Sequence, residues 1–160
     1  MLEEDVRRRE LLGWVTEIFN DIEFELHLLA SSIAEGIANE RITRAVDQQL
    51  GAASSVALIR RMTELGAFPA LRSEIDTRMV EASEVIAERN TYVHAIWSLR
   101  REGGADFWSH QSVRDRIHYP DRPAIRFDLA VLEDFVERLD GFAFSVADLW
   151  DTLYPPGPDY

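Results

Sequence analysis

The chain has no cysteine among its 160 residues, which excludes a disulfide framework and any thiolate metal site. It has no lysine either: all 17 basic side chains are arginine, a bias that coding composition alone can produce. No stretch approaches the roughly 20 consecutive apolar residues of a membrane-spanning helix. The N-terminal MLEEDVRRRELLGW mixes acids with arginines and holds no continuous apolar run, so it does not read as a signal peptide, and a cytoplasmic protein is expected. Positive charge is in short supply, with a formal net charge of −12. That disfavours a broad, non-specific grip on nucleic acid or on an anionic membrane, while leaving room for a local basic cleft. Internal repeats and low-complexity tracts are absent as well.

What is there is ordinary for a globular chain: 46% hydrophobic and 29% charged residues, enough for one domain spanning residues 1–160 with a real core. Glycine and proline divide it into four helical segments, about 4–33, 38–65, 70–101 and 128–153. The first carries Leu11, Val15, Ile18, Ile22, Leu26, Leu29 and Ile33 at spacings of three and four, the period of a helix with one buried face. Gly66 is a suitable stop for the second, and Pro69 opens the third. In the fourth, Leu132, Phe135, Leu139, Phe142, Val146 and Leu149 form the inward stripe. The expected fold is all-α, an antiparallel four-helix bundle, with a long loop or small hairpin between the third and fourth helices at about 102–127. Trp14, Phe24 and Leu28 lie well off the main stripe of the first helix and suit either cover from elsewhere in the chain or a dimer surface.

The third segment breaks its own pattern. Leu71, Ile75, Met79, Ala82, Ile86 and Val93 form one stripe, yet Arg89 projects within it, at about 100° per residue. Asn90 and His94 stand one turn apart at its edge, where side chains at i and i+4 meet. An unpaired buried guanidinium is costly, so Arg89 needs a carboxylate partner, such as Glu23 on the first helix, or an opening to a concave surface.

Arg89-Asn90-x-x-x-His94 resembles the R-x(4–6)-H signature of HEPN domains in its stricter R-N-x-x-x-H form, and the chain has no second match even to the loose pattern. The Trp97 that follows and the segment FNDIEFELHLL in the first helix are also similar to prokaryotic members. The resemblance covers the motif and the helical layout of about residues 10–153. It implies a small helical homodimer acting as a metal-independent ribonuclease, in a toxin or phage-defence role, with RNA as substrate, an antitoxin protein as a partner, and no cofactor, metal or membrane. The alternative it implies is a catalytically inactive interaction or nucleotide-binding module, because many relatives are of that kind.

The residue types suit the chemistry. Metal-free RNA cleavage is attack of a ribose 2′-hydroxyl on its own phosphate, which needs a base, an acid for the departing 5′-oxygen and a cation on the phosphate. Histidine is the side chain suited to act as acid or base near neutral pH, which makes His94 the candidate for that role. Arg89 offers a planar fork to phosphate oxygens, and Asn90 orients His94 or binds phosphate. One imidazole cannot be acid and base in the same step; a two-fold dimer with two His94 residues at one groove supplies both. Glu23 and Trp97 are candidate supporting residues, and Trp108 and Tyr119 candidate RNA contacts through base stacking. Glu23 and His27, four apart, have a spacing that can ligate metal, but the paired Glu-x-x-His motifs of di-iron bundles are missing. His110 and His118 read as solvated loop residues, and the arginines from Arg114 to Arg126 alternate with aspartates and sum to little net charge.

Overall fold

The computed structural model describes residues 2–37, 51–102, 105–119, 121 and 123–155. Among them are five α-helices, a 3-10 turn and a three-stranded sheet. Helix α1 (Leu2–Ile37) starts with Glu3, Glu4 and Asp5 in its first turn, acids that suit the positive end of a helix. Its stripe from Leu11 through Val15, Ile22, Leu26 and Leu29 to Ile33 is fully enclosed. Helix α2 (Ala52–Glu64) ends in a Schellman motif. There the Ala67 N–H reaches the Met62 carbonyl, the Gly66 N–H reaches that of Thr63, and Gly66 takes φ 102°, a conformation that only glycine adopts cheaply.

The 3-10 turn Pro69–Leu71 leads into α3 (Arg72–Val93). Strands β1 (Ala95–Glu102) and β2 (Ala105–Ser112) then form an antiparallel hairpin, followed by a short α4 (Val113–His118) and β3 (Ile125–Arg126), which pairs with β2. Helix α5 (Leu129–Leu153) is capped by Asp128, whose carboxylate accepts the Ala130 N–H at 3.0 Å. Phe135, Phe142, Leu132 and Leu139 on α5 meet Ile59, Ile75 and Met79 from α2 and α3 in one core with α1.

The fold is therefore mostly helical, but it is not the expected all-α bundle. The third helix stops at Val93 rather than near 101, and residues 95–102 are strand. The second strand of the hairpin falls in the region expected as loop or small hairpin, whereas β1 begins six residues before the expected end of the helix at 101. Of the second expected helix, Ala52–Glu64 is helical, and residues 38–50 lie outside the described part.

Helix directions differ from a simple up-and-down bundle too. Arg7 near the start of α1 pairs with Glu133 near the start of α5, and Glu35 near the end of α1 lies close enough to act electrostatically on Tyr154 just past the end of α5. The two helices therefore run parallel. Helix α2 starts beside Glu23 and its following turn puts Phe68 on Tyr154, so it runs the same way. Helix α3 runs against them: its Glu88 holds Arg138 while its later Tyr92 meets the earlier Phe135. Trp14 and Phe24 remain 46% and 59% exposed on the outer side of α1. Among the described residues no helix is long and apolar enough to cross a membrane.

Candidate active site

The last turn of α3 carries Arg89 toward α1, where its guanidinium carbon lies 4.7 Å from the ring centre of the buried Phe19. Stacking on an aromatic face offsets part of the cost of taking a cation out of water. The Nε of Arg89 is buried there without a hydrogen-bond partner. Its Nη1 points back along the helix, 3.2 Å from Oδ1 of Asn90 and 3.1 Å from Nε2 of His94. His94 is the C-cap of α3, with φ −96° and ψ 13°, and its N–H reaches the Asn90 carbonyl at 3.3 Å. Both Asn90 and His94 are exposed, and Arg89 is partly buried. The three residues singled out by spacing thus form one hydrogen-bonded cluster at a helix end.

Arginine has only donors. Where this contact is a hydrogen bond, Nε2 of His94 is the acceptor. Such a histidine presents a lone pair to whatever displaces the guanidinium.

Glu23 is not the counter-ion of Arg89. Its Oε1 accepts the Ala52 N–H at 2.8 Å and so satisfies one of the orphan donors at the start of α2. Among the described residues no carboxylate forms an ion pair with Arg89, whereas Arg7, Arg8, Arg9, Arg61, Arg72, Arg78 and Arg138 all have one. His27, four residues past Glu23, has its Nδ1 buried without a partner. No group of three or more His, Asp or Glu among the described residues is arranged to hold a metal ion.

Trp97 lies on β1, not on the helix. Its Nε1–H donates to the Tyr92 carbonyl at 3.2 Å, one of the last carbonyls of α3, which also accepts a backbone N–H at the helix cap. Its ring packs on His110 and edge-on against Phe127. Trp97 therefore pins the helix end that bears His94 to the hairpin. Behind it lies a network invisible in the sequence. Arg8, 6% exposed, sits between Trp97 and Trp108 at 5.1 and 4.2 Å while pairing with Asp5. Arg138 holds both oxygens of Glu88 at 2.7 and 2.8 Å. Burial first, and then the charge of Glu88, raises the Tyr92 hydroxyl above its ordinary pKa.

The remaining aromatic candidates separate. One face of Trp108 is taken by Arg8 and its Nε1 is buried without a partner. Tyr119 is 48% exposed, beside the exposed His118. His110, expected in solvent, is buried, and that burial holds its imidazole below the ordinary value of 6.5. Surface depressions of about 650 and 550 Å³ lie at the start of α3 (Pro69 to Val80) and beside the start of α1 (Glu3 to Glu10). Neither is lined by the motif, whose Asn90 and His94 are exposed. No family model, curated protein or solved structure matches the chain.

Proposed function

We propose that the protein is a metal-independent endoribonuclease of the HEPN type, acting in the cytoplasm as a homodimer in a toxin or phage-defence role and held in check by an antitoxin protein. The observation that carries this reading is the cluster at the end of α3. A guanidinium without a carboxylate partner touches both the amide of Asn90 and the Nε2 of His94. A buried structural ion pair would have had its carboxylate; a cation kept for an anionic ligand does not.

The chemistry follows from those atoms. RNA phosphate engages the guanidinium fork of Arg89 and draws it from His94, which frees the Nε2 lone pair. The imidazole takes the proton of the ribose 2′-hydroxyl as O2′ bonds to phosphorus. The P–O5′ bond breaks, and O5′ receives a proton from an acid, leaving a 2′,3′-cyclic phosphate and a 5′-hydroxyl. Arg89 stabilises charge on the non-bridging oxygens, and Asn90 holds the guanidinium in line. The acid is the protonated His94 of a second copy across a two-fold axis, which also closes a surface that the single chain leaves open.

The test is incubation of the purified protein with mixed RNA in EDTA, with cyclic-phosphate ends mapped. Ends in excess of a His94→Ala control support the reading. Their absence removes it and leaves the catalytically inactive interaction or nucleotide-binding module on the same scaffold.

A further inference from the structure

Antiparallel register sorts the hairpin into two faces. Trp97, Trp108 and His110 turn toward the helices, as their contacts with Phe127, Arg8 and Tyr92 require. The alternate positions fall on the opposite, outer face. There Arg100 pairs across strands with Phe107, and Arg126 of β3 pairs with Ser109, the next outward position of β2. The side chains agree with the register: Arg126 stacks on Phe107 at 4.9 Å, and Nε of Arg100 donates to Oγ of Ser109 at 3.0 Å. Ser109 in turn donates to the Ser98 carbonyl and is buried beneath them.

Both arginines are exposed, and neither forms an ion pair among the described residues, in a chain that carries 29 acidic side chains. Seven arginines of this protein pair with a carboxylate; Arg100 and Arg126, on either side of one aromatic ring, form no such pair among the described residues and make a local basic patch. Glu102 is the acid on the same face, at the hairpin's far end. We propose that this outer sheet face binds the substrate strand as single-stranded RNA, with phosphates on Arg100 and Arg126 and a base on Phe107. Basic side chains interleaved with an aromatic platform are what a single strand needs, because every base has a stacking face and every linkage a charge. A duplex offers no unstacked base to Phe107. Arg100 follows His94 by six residues, about 20 Å along an extended strand, so one RNA segment can lie on this face and reach the motif. The inference rests on the nuclease reading for its substrate, but it is tested by binding alone.

The experiment uses the full chain and a mixed-sequence 2′-O-methyl RNA oligonucleotide, which lacks the nucleophilic hydroxyl and cannot be cleaved. Phe107→Ala should weaken binding by roughly ten-fold or more, and Phe107→Tyr, which keeps the ring, should restore it. Arg100→Ala with Arg126→Ala should lower the slope of log affinity against log salt by about 1.4, at about 0.7 per phosphate contact on a single strand. Arg61→Ala, exposed on α2, is the control and should change nothing beyond its general charge. Equal binding by wild type and the hairpin variants, or no binding by the wild type, overturns the assignment. Normal binding with no cleavage of unmodified RNA would leave this face standing and remove the nuclease reading alone.

Discussion

Nη1 of Arg89 lies 3.1 Å from Nε2 of His94 across the last turn of α3. Arginine cannot accept, so a hydrogen bond here uses the lone pair of Nε2. The same nitrogen lies 3.2 Å from Oδ1 of Asn90, which makes Arg89 the organiser of the cluster; on the proposed reading, a phosphate that draws the guanidinium away frees the base.

Arg89→Lys separates the functional from the structural role of this cation. A lysine keeps the charge but loses the planar fork and much of the stacking on Phe19. Cleavage should fall by about 10²-fold, the usual cost of losing a transition-state donor. Stability should change by about 1 kcal/mol or less, because no carboxylate is left unpaired. A large drop in melting temperature would instead mark Arg89 as a structural residue.

Trp97→Phe keeps a ring against His110 and Phe127 but removes the donor to the Tyr92 carbonyl. The expected loss is about 1 kcal/mol in a denaturant titration, typical of one hydrogen bond. Hydrogen exchange should rise locally at residues 92–94, where the helix end loses its tie to β1. Unchanged exchange there would mean that the indole N–H does not hold that helix end.

Glu23→Ala removes the acceptor at the start of α2. It should cost roughly 1 kcal/mol, as loss of a helix N-terminal acceptor does, and cleavage per folded molecule should be unchanged. A loss of cleavage without a loss of stability would return Glu23 to the site.

His110 gives a pH dependence with a definite sign. Burial lowers its pKa below 6.5 in the folded protein, so the unfolded chain takes up a proton first as the solution is acidified. Stability that is complete above about pH 6.5 is therefore lost progressively as pH falls toward the folded-state pKa. His110→Phe should flatten that decline in melting temperatures measured from about pH 7.5 to 5. An equally steep decline in the variant would contradict the assignment.

How far the sequence spoke depended on which force shaped each part. The stripe from Leu132 to Leu149 located α5 within one residue, because a helix packed on a single core repeats its period without interruption. The end of α3 was missed for the same reason that α5 was found. Val93 and Trp97 are four apart and continue a helical stripe, although Trp97 and Leu99 flanking Ser98 already alternate as a strand does. The Gly103-Gly104 pair between two such runs was the available hairpin signal. The Arg89, Asn90 and His94 cluster was legible because its members share one helix turn. Arg8 between two tryptophans, Glu88 with Arg138, and the Arg100, Phe107 and Arg126 face were not, because each joins elements whose pairing only the folded register creates. The parallel run of α1 and α5 had no local signature at all.

The most direct measurement is the single-turnover cleavage rate of His94→Ala against wild type in EDTA, with affinity for the 2′-O-methyl oligonucleotide measured on the same preparations. If His94 moves the proton, the rate should fall by roughly 10²–10⁴ while affinity and melting temperature stay close to wild type. Equal rates for the two proteins, or a fall in rate matched by an equal loss of affinity, would show that His94 does no acid–base work at this site.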